Sequence, residues 1–156
     1  MPSLKPFDAL EDERLRLIIE SYQRLTGLPL LEVVPSDIHA LREALWTAPR
    51  AIVAHGTEAD PIFFYGNRLA LNLFEMSFEE FTRLPSRLSA EPTAQEARLR
   101  LLEKVTQQGY VDGYSGMRIA KSGKRFMIAH ATVWILRDAA GAFYGQAAEF
   151  IATETA

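Results

Sequence analysis

Apolar residues recur at helical spacing between Asp8 and Leu25, at Leu15, Ile18, Ile19, Tyr22 and Leu25. That period predicts a helix with one face to cover. Asp8 can cap it, Glu11 sits at the spacing of a capping box, and Gly27 supplies a stop. Pro35-Ser36 opens a second short helix through about Trp46, and Pro49 ends it. Two short apolar runs follow, Ala51 to His55 and Ile62 to Tyr65, which read as strands around a turn from Gly56 to Pro61. Asn67 is placed to cap a helix over Leu69, Leu71, Leu73 and Phe74. Ser77 with Glu80 and Thr93 with Glu96 repeat the box signature. The last of these helices is expected to bury Ala97, Leu101 and Val105 and to stop at Gly109.

Beyond Gly109 the period changes. Tyr110 to Ala120, Arg125 to Leu136 and Ala142 to Ala152 read as three strands, joined by turns at Lys121–Lys124 and Asp138–Gly141. Two hairpins with glycine turns make an antiparallel meander. Strict alternation in the second strand puts Phe126, Ile128, His130, Thr132 and Trp134 on one face. Met127, Ala129, Ala131, Val133 and Ile135 then take the other. Both faces are apolar, so both must be covered. The central helices can cover one, and the N-terminal helix or a partner chain the other. In the first strand of the meander, Tyr110, Asp112, Tyr114, Arg118 and Ala120 share a face by the same count.

Composition narrows the function classes. A chain of 156 residues fits one domain with a real core. Its 48% hydrophobic and 24% charged residues make disorder a poor reading. A net charge of -3 argues against direct binding of nucleic acid, which needs a basic surplus. The absence of cysteine removes disulfides, thiolate metal sites, cysteine nucleophiles and cysteine–flavin adducts. No apolar run is long enough to span a membrane, and the N-terminus has no signal-peptide core, so a cytoplasmic protein is expected.

The order of elements, two strands, several short helices and a three-stranded meander, resembles the PAS fold. FFYGNRLALNLF is similar to the PAS strand that ends in asparagine and enters a helix, and AKSGKRF and LRDAAGAFYG to its two late hairpins. The likeness is closer to the MEKHLA family. It is carried by HGTEADPIFFYGNRLALNLFE, LPSRLSAEP, QGYVDGYSGMRIAKSGKRFMI and ATVWILRDAAGAFYGQAAEF, which together span roughly Ala40 to Thr153. The string that names the family does not occur here. The resemblance implies an α+β fold: a PAS-like five-stranded antiparallel sheet with short central helices on one face and an N-terminal helix. It divides the chain into an N-terminal helix, 1–27, and a PAS-like MEKHLA domain, 28–153. The family occurs as stand-alone bacterial proteins and at the C-terminus of certain plant homeodomain–zipper transcription factors. The resemblance therefore implies a sensory or regulatory role and no particular reaction.

Candidate chemistry is sparse. His55 and Asp60 can be read as an acid–base pair, or as a strand end and a turn former, and the second reading is preferred. His39, His55 and His130 have no metal-ligand spacing, so no metal is expected and haem is disfavoured. The residues placed as ligand contacts are Tyr65, Asn67, Tyr114, Arg118, His130, Trp134 and Gln146. Gln146 matters because a glutamine on the corresponding strand of flavin-binding PAS domains contacts the isoalloxazine ring. The resemblance thus leaves noncovalent flavin binding open.

The expected function is a stand-alone sensory or regulatory module. It takes up a small, mostly apolar ligand between the sheet and the central helices and signals to a separate effector protein. A ligand-free module that forms a homodimer through the N-terminal helix is the alternative. An enzyme using His55 or His130 ranks last.

Overall fold

The structure, a computed structural model, describes residues 9–31 and 36–154. Five strands form one antiparallel sheet: β1 (Ala51–His55), β2 (Phe63–Gly66), β3 (Tyr110–Ile119), β4 (Arg125–Arg137) and β5 (Phe143–Glu154). Their spatial order is β2-β1-β5-β4-β3, so the last strand sits in the middle, between the first strand and β4. The helices are α1 (Ala9–Thr26), α2 (Ile38–Trp46), α3 (Arg68–Phe74), α4 (Phe78–Phe81) and α5 (Pro92–Gln108). A 3₁₀ turn over Ser86–Ser89, which the sequence pattern does not announce, joins α4 to α5.

The helix starts differ in how they follow the sequence. At α4, Ser77 and Glu80 close the predicted capping box. At α2 the cap is Asp37, whose carboxylate accepts from the amide of Ala40 at 3.0 Å. Pro35 and Asp8, the other predicted helix openers, lie outside the described residues. The Thr93 box is overturned: α5 begins at Pro92 with Glu91 in the cap position, because proline at the first helical position needs no hydrogen bond for its nitrogen.

Helix α1 lies on one face of the sheet. Its stripe of Leu15, Ile18, Ile19 and Tyr22 joins Ile52 of β1 and Trp134 and Leu136 of β4 in one buried cluster. Trp134 is fully buried, packs edge-on against Tyr22 at a centroid distance of 4.8 Å and donates from Nε1 to the carbonyl of Ile18 at 3.1 Å. Ser21 Oγ donates to the carbonyl of Arg137 at 3.1 Å and accepts from its amide at 3.2 Å. The polar end of the indole therefore has a partner, and the apolar stripe packs on the chain's own sheet.

The other face carries α3, α4 and α5. Phe63, Phe74, Phe81 and Phe126 form an aromatic cluster there, with Phe63 and Phe81 stacked at 4.1 Å. Leu101 and Val105 of α5 cover Val133 and Ile135 of β4. Ala97, predicted to join them, is exposed, and Arg98 is buried in its place.

Strict alternation fails in β4, and this corrects the predicted faces. Between the pairs Ala129↔Ile151 and Thr132↔Glu149, two residues of β4 oppose one of β5. His130 is the extra residue, held at φ 50, in the left-handed region. Such a bulge reverses which face the following residues take. Phe126 and Ile128 thus share the helical face with Ala131, Val133 and Ile135, while Trp134 and Leu136 turn under α1. His130 itself is exposed. A second irregularity in β3, at Gly113, separates Tyr110 from Tyr114. Tyr110 joins the α1 side, and Tyr114 and Ala120 join the helical side.

A bulge at left-handed φ predicts a particular pattern of substitutions. His130→Gly removes the side-chain clash and is expected to leave stability within about 1 kcal/mol of the unchanged protein. His130→Val, β-branched at positive φ, is expected to cost more, roughly 1–3 kcal/mol. Urea denaturation of the two variants checks this, and a valine variant as stable as the glycine variant contradicts it.

Candidate functional site

Between the helical face of the sheet and α5 lies a cavity of about 60 Å³. Its floor is Val53 of β1, Ala148 and Phe150 of β5, Ile128 and Val133 of β4, and Tyr114 and Arg118 of β3. Arg98, Leu101 and Leu102 of α5 roof it, and Ser86, Ser89 and Phe74 close one end. His55 and Gln146, paired across β1 and β5, complete the wall.

The polar groups in this wall have unequal fates. Gln146 Nε2 donates to the carbonyl of Leu102 and to Thr106 Oγ1, both at 3.1 Å, which ties β5 to α5. Gln146 Oε1 is buried with no hydrogen-bond partner among the described residues, and so is His55 Nε2. The other ring nitrogen of His55, Nδ1, lies 3.2 Å from the carbonyl of Gly56. That contact requires the proton on Nδ1 and leaves Nε2 as a bare acceptor. Burial, helped by the charge of Arg98, holds the His55 pKa down at about 4, although the Gly56 carbonyl pulls the other way. The imidazole is neutral at pH 7. Asp60 does not orient it: both Asp60 oxygens accept from Arg87 Nε at 3.1 Å.

Two guanidiniums enter the same space. Arg98 is 5% exposed and Arg118 8%. Arg98 Nη2 donates to Ser86 Oγ, while Arg118 donates to the carbonyl of Met117 at 2.9 Å and to the Tyr114 hydroxyl at 3.4 Å. Gly116 lies between Tyr114 and Arg118 along β3. A Cβ there would stand 2.3 Å from the Tyr114 hydroxyl and 3.0 Å from Arg118 Nη1, so only glycine lets both side chains lie along the strand. Gly145 does similar work beside His55. It sits at φ +128, and a Cβ would come 1.9 Å from the His55 carbonyl oxygen.

Of the seven predicted contacts, Tyr114, Arg118 and Gln146 line the cavity. The other four do not. Tyr65 is buried in the cluster shared with α1 and α2, edge-on to Phe78 at 6.1 Å. Asn67 is fully buried in a structural role. Its Nδ2 donates to the carbonyls of Leu45 and Arg50, and its Oδ1 accepts from the amides of Ile52 and Ala70, at 2.9–3.1 Å. With both donors and both lone pairs engaged, it caps α3 and ties it to β1 and the end of α2. His130 is turned out by the bulge, and Trp134 lies on the opposite face for the same reason. Sequence reasoning passed over Ser86, Ser89 and Arg98 and weighed His55 only as an acid–base candidate. A legible signal existed for Arg98: it falls three residues before Leu101 and seven before Val105, a cation inside an apolar stripe.

A flavin does not fit these residues as packed. The cavity is smaller than an engineered cavity of about 150 Å³ that holds one benzene, and ligand pockets for larger molecules start near 300 Å³. The amide nitrogen of Gln146 is also already held by α5. Among the described residues no cluster of His, Cys, Asp or Glu has the makings of a metal site, and no helix is long and apolar enough to cross a membrane.

A five-stranded antiparallel sheet in this strand order, with short helices roofing a cavity on one face, defines an α+β fold of the PAS type. Solved structures agree. The chain is similar to a PAS domain from Colwellia psychrerythraea, at a TM-score of 0.63 and 19% identity, over 76% of this chain and 98% of that one. A light-oxygen-voltage domain from a study of a flavin analogue matches at a TM-score of 0.58 and 18% identity, over 75% of this chain and 85% of that one. A PAS domain from a two-component sensor histidine kinase matches at 0.57 and 16%, over 75% and 95%. Within this fold the chain belongs to the MEKHLA domain family, whose model matches residues 12–155. The match takes in most of α1. Curated relatives include the homeobox-leucine zipper proteins HOX9 of Oryza sativa subsp. indica, 27% identical over 76% of this chain, and ATHB-9 of Arabidopsis thaliana, 25% identical over 80%. This chain spans only 14% and 15% of their lengths.

The depressed pKa of His55 has a consequence for stability. Between pH 6.5 and 4 the unfolded chain binds a proton on His55 that the folded chain does not, so stability falls as pH falls through this window. The expected loss from this group is roughly 2–3 kcal/mol by pH 4.5. Chemical denaturation at pH 7 and 4.5 should show His55→Gln losing less than the unchanged protein; equal losses contradict the burial of a neutral imidazole.

Proposed function

We propose that this chain is a sensory or regulatory module that takes up a small ligand in the cavity between the sheet and its helices. One observation carries the reading: Gln146 Oε1 and His55 Nε2, in the wall of a single cavity, are buried acceptors without partners among the described residues. Each such group costs about 1–3 kcal/mol if nothing donates to it. A bound molecule with donor groups removes that cost, and coupling its arrival to the sheet is a route to a signal. Most of the lining is apolar, which suits a compact organic molecule. The likeness in fold to a PAS domain from a two-component sensor histidine kinase, and in sequence to plant homeobox-leucine zipper proteins, supports a sensory or regulatory setting. A separate effector protein would receive the signal, and the cysteine-free composition fits a reducing compartment such as the cytoplasm.

Homodimerisation through α1 is the weaker proposal. The stripe that motivates it is buried against the chain's own sheet, so a dimer would have to use the helix's polar side or another surface. An enzymatic reading centred on His55 is weaker still, because the carboxylate that would orient the imidazole is paired with Arg87.

Native mass spectrometry of freshly purified protein, with a visible spectrum, tests the ligand reading. The expected result is a small bound mass and no chromophore absorbance. Ala148→Leu, which fills the cavity from β5, should lose that mass while keeping the far-ultraviolet circular dichroism of the fold. A protein that carries no bound mass and responds to no small molecule would sink the proposal.

A further inference from the structure

We propose that the cavity is an anion site in which Arg98 and Arg118 together hold the carboxylate of a short hydroxy acid, with His55 Nε2 accepting from its hydroxyl. The inference rests on the ligand reading above and narrows it to a chemical class.

Charge balance is the first ground. A buried guanidinium needs a counter-charge, since desolvation of an unpaired ion costs several kcal/mol. The ion pairs among the described residues engage other cations: Arg42, Arg50, Arg87, Arg100, Lys121 and Arg125. Among the described residues Arg98 and Arg118 have only neutral partners, Ser86, Met117 and Tyr114. Asp60, whose charge reaches Arg98, is already paired with Arg87. Each guanidinium has five N–H donors, of which protein acceptors engage one on Arg98 and two on Arg118. Burial and the neighbouring Arg118 charge push the Arg98 pKa down to about 10.

Construction is the second ground. One arginine comes from the roof and the other from the floor, so a small anion between them touches both. The planar fork of guanidinium matches the two oxygens of a carboxylate. Gly116 leaves the room in which Arg118 and Tyr114 lie.

Size and lining select the ligand. At about 10–15 Å³ per water position, 60 Å³ accommodates roughly four to six non-hydrogen atoms. That admits a short monocarboxylate and excludes nucleotides and ring cofactors. Inorganic phosphate also fits by size, but it has nothing apolar to set against Val53, Leu101, Ile128 and Val133. A hydroxyl on the short chain supplies one donor, which serves one of the two bare acceptors, His55 Nε2.

Calorimetric titration and thermal melting in an anion-poor buffer test the assignment, with lactate, acetate, inorganic phosphate and the neutral propane-1,2-diol as probes. Lactate should raise Tm and bind at least tenfold more tightly than the diol, with acetate between them. Arg98→Met should abolish the lactate response yet melt no lower than the unchanged protein without lactate, because it removes an uncompensated buried charge. Arg118→Gln, a second and milder variant, should weaken lactate at least tenfold. Diol binding as tight as lactate, phosphate binding tighter than lactate, or variants that keep the lactate response would overturn the assignment. If no anion binds but the purified protein carries a neutral mass, the anion assignment fails and the ligand reading stands. If neither is found, both fail.

Discussion

The extra residue at His130 governs what this protein buries and where. Strand β4 is buried at every position from Ala131 to Leu136, all apolar but Thr132, and its partners on the two faces differ. On one side α1 needs a large side chain to receive its stripe, and Trp134 fills that place. On the other side α5 and the sheet must stay far enough apart to leave a hollow. Without the bulge, Trp134 would point at α5, and an indole is larger than a 60 Å³ space. The bulge puts Val133 there instead. One residue in the left-handed region, with its local cost of about 1 kcal/mol or more, thus separates the packed face from the hollow one.

The buried polar groups then fall into two sets. Asn67 has every donor and acceptor engaged, and the Trp134 indole has its carbonyl; these groups hold elements together. Gln146 Oε1, His55 Nε2 and the guanidiniums of Arg98 and Arg118 are under-satisfied, and all four line one cavity. Interiors normally satisfy their polar groups. Four under-satisfied groups around one small space are the physical ground for a binding role, and that ground does not depend on likeness to any other protein.

Much of the frame was legible in the residues. The helical period of α1, the capping box at Ser77 and Glu80, the cap at Asn67 and the glycine turns of the meander placed the elements within a few residues. The site was harder, for one reason: assigning a residue to a face means counting along a strand, and a bulge adds one to the count. That error moved Trp134 and His130 into the pocket and put Tyr110 and Asp112 beside Tyr114. Asn67 was misread because a cap and a ligand contact use the same atoms, and only the number of partners tells them apart. His55 was set aside with its assumed partner Asp60, although its value lies in having no partner at Nε2. Arg98 alone broke a visible pattern, since a cation in an apolar stripe is costly unless something offsets it.

The family model matches nearly the whole of this chain, and this chain corresponds to 14% of the length of the homeobox-leucine zipper protein HOX9. A high-resolution crystal structure grown with lactate measures the central claim most directly. The account predicts Trp134 against Ile18 on the α1 side, and a compact molecule of roughly four to six non-hydrogen atoms bridging the Arg98 and Arg118 guanidiniums. A Trp134 ring turned into the cavity, or both guanidiniums swung out to solvent with the hollow collapsed, would contradict it.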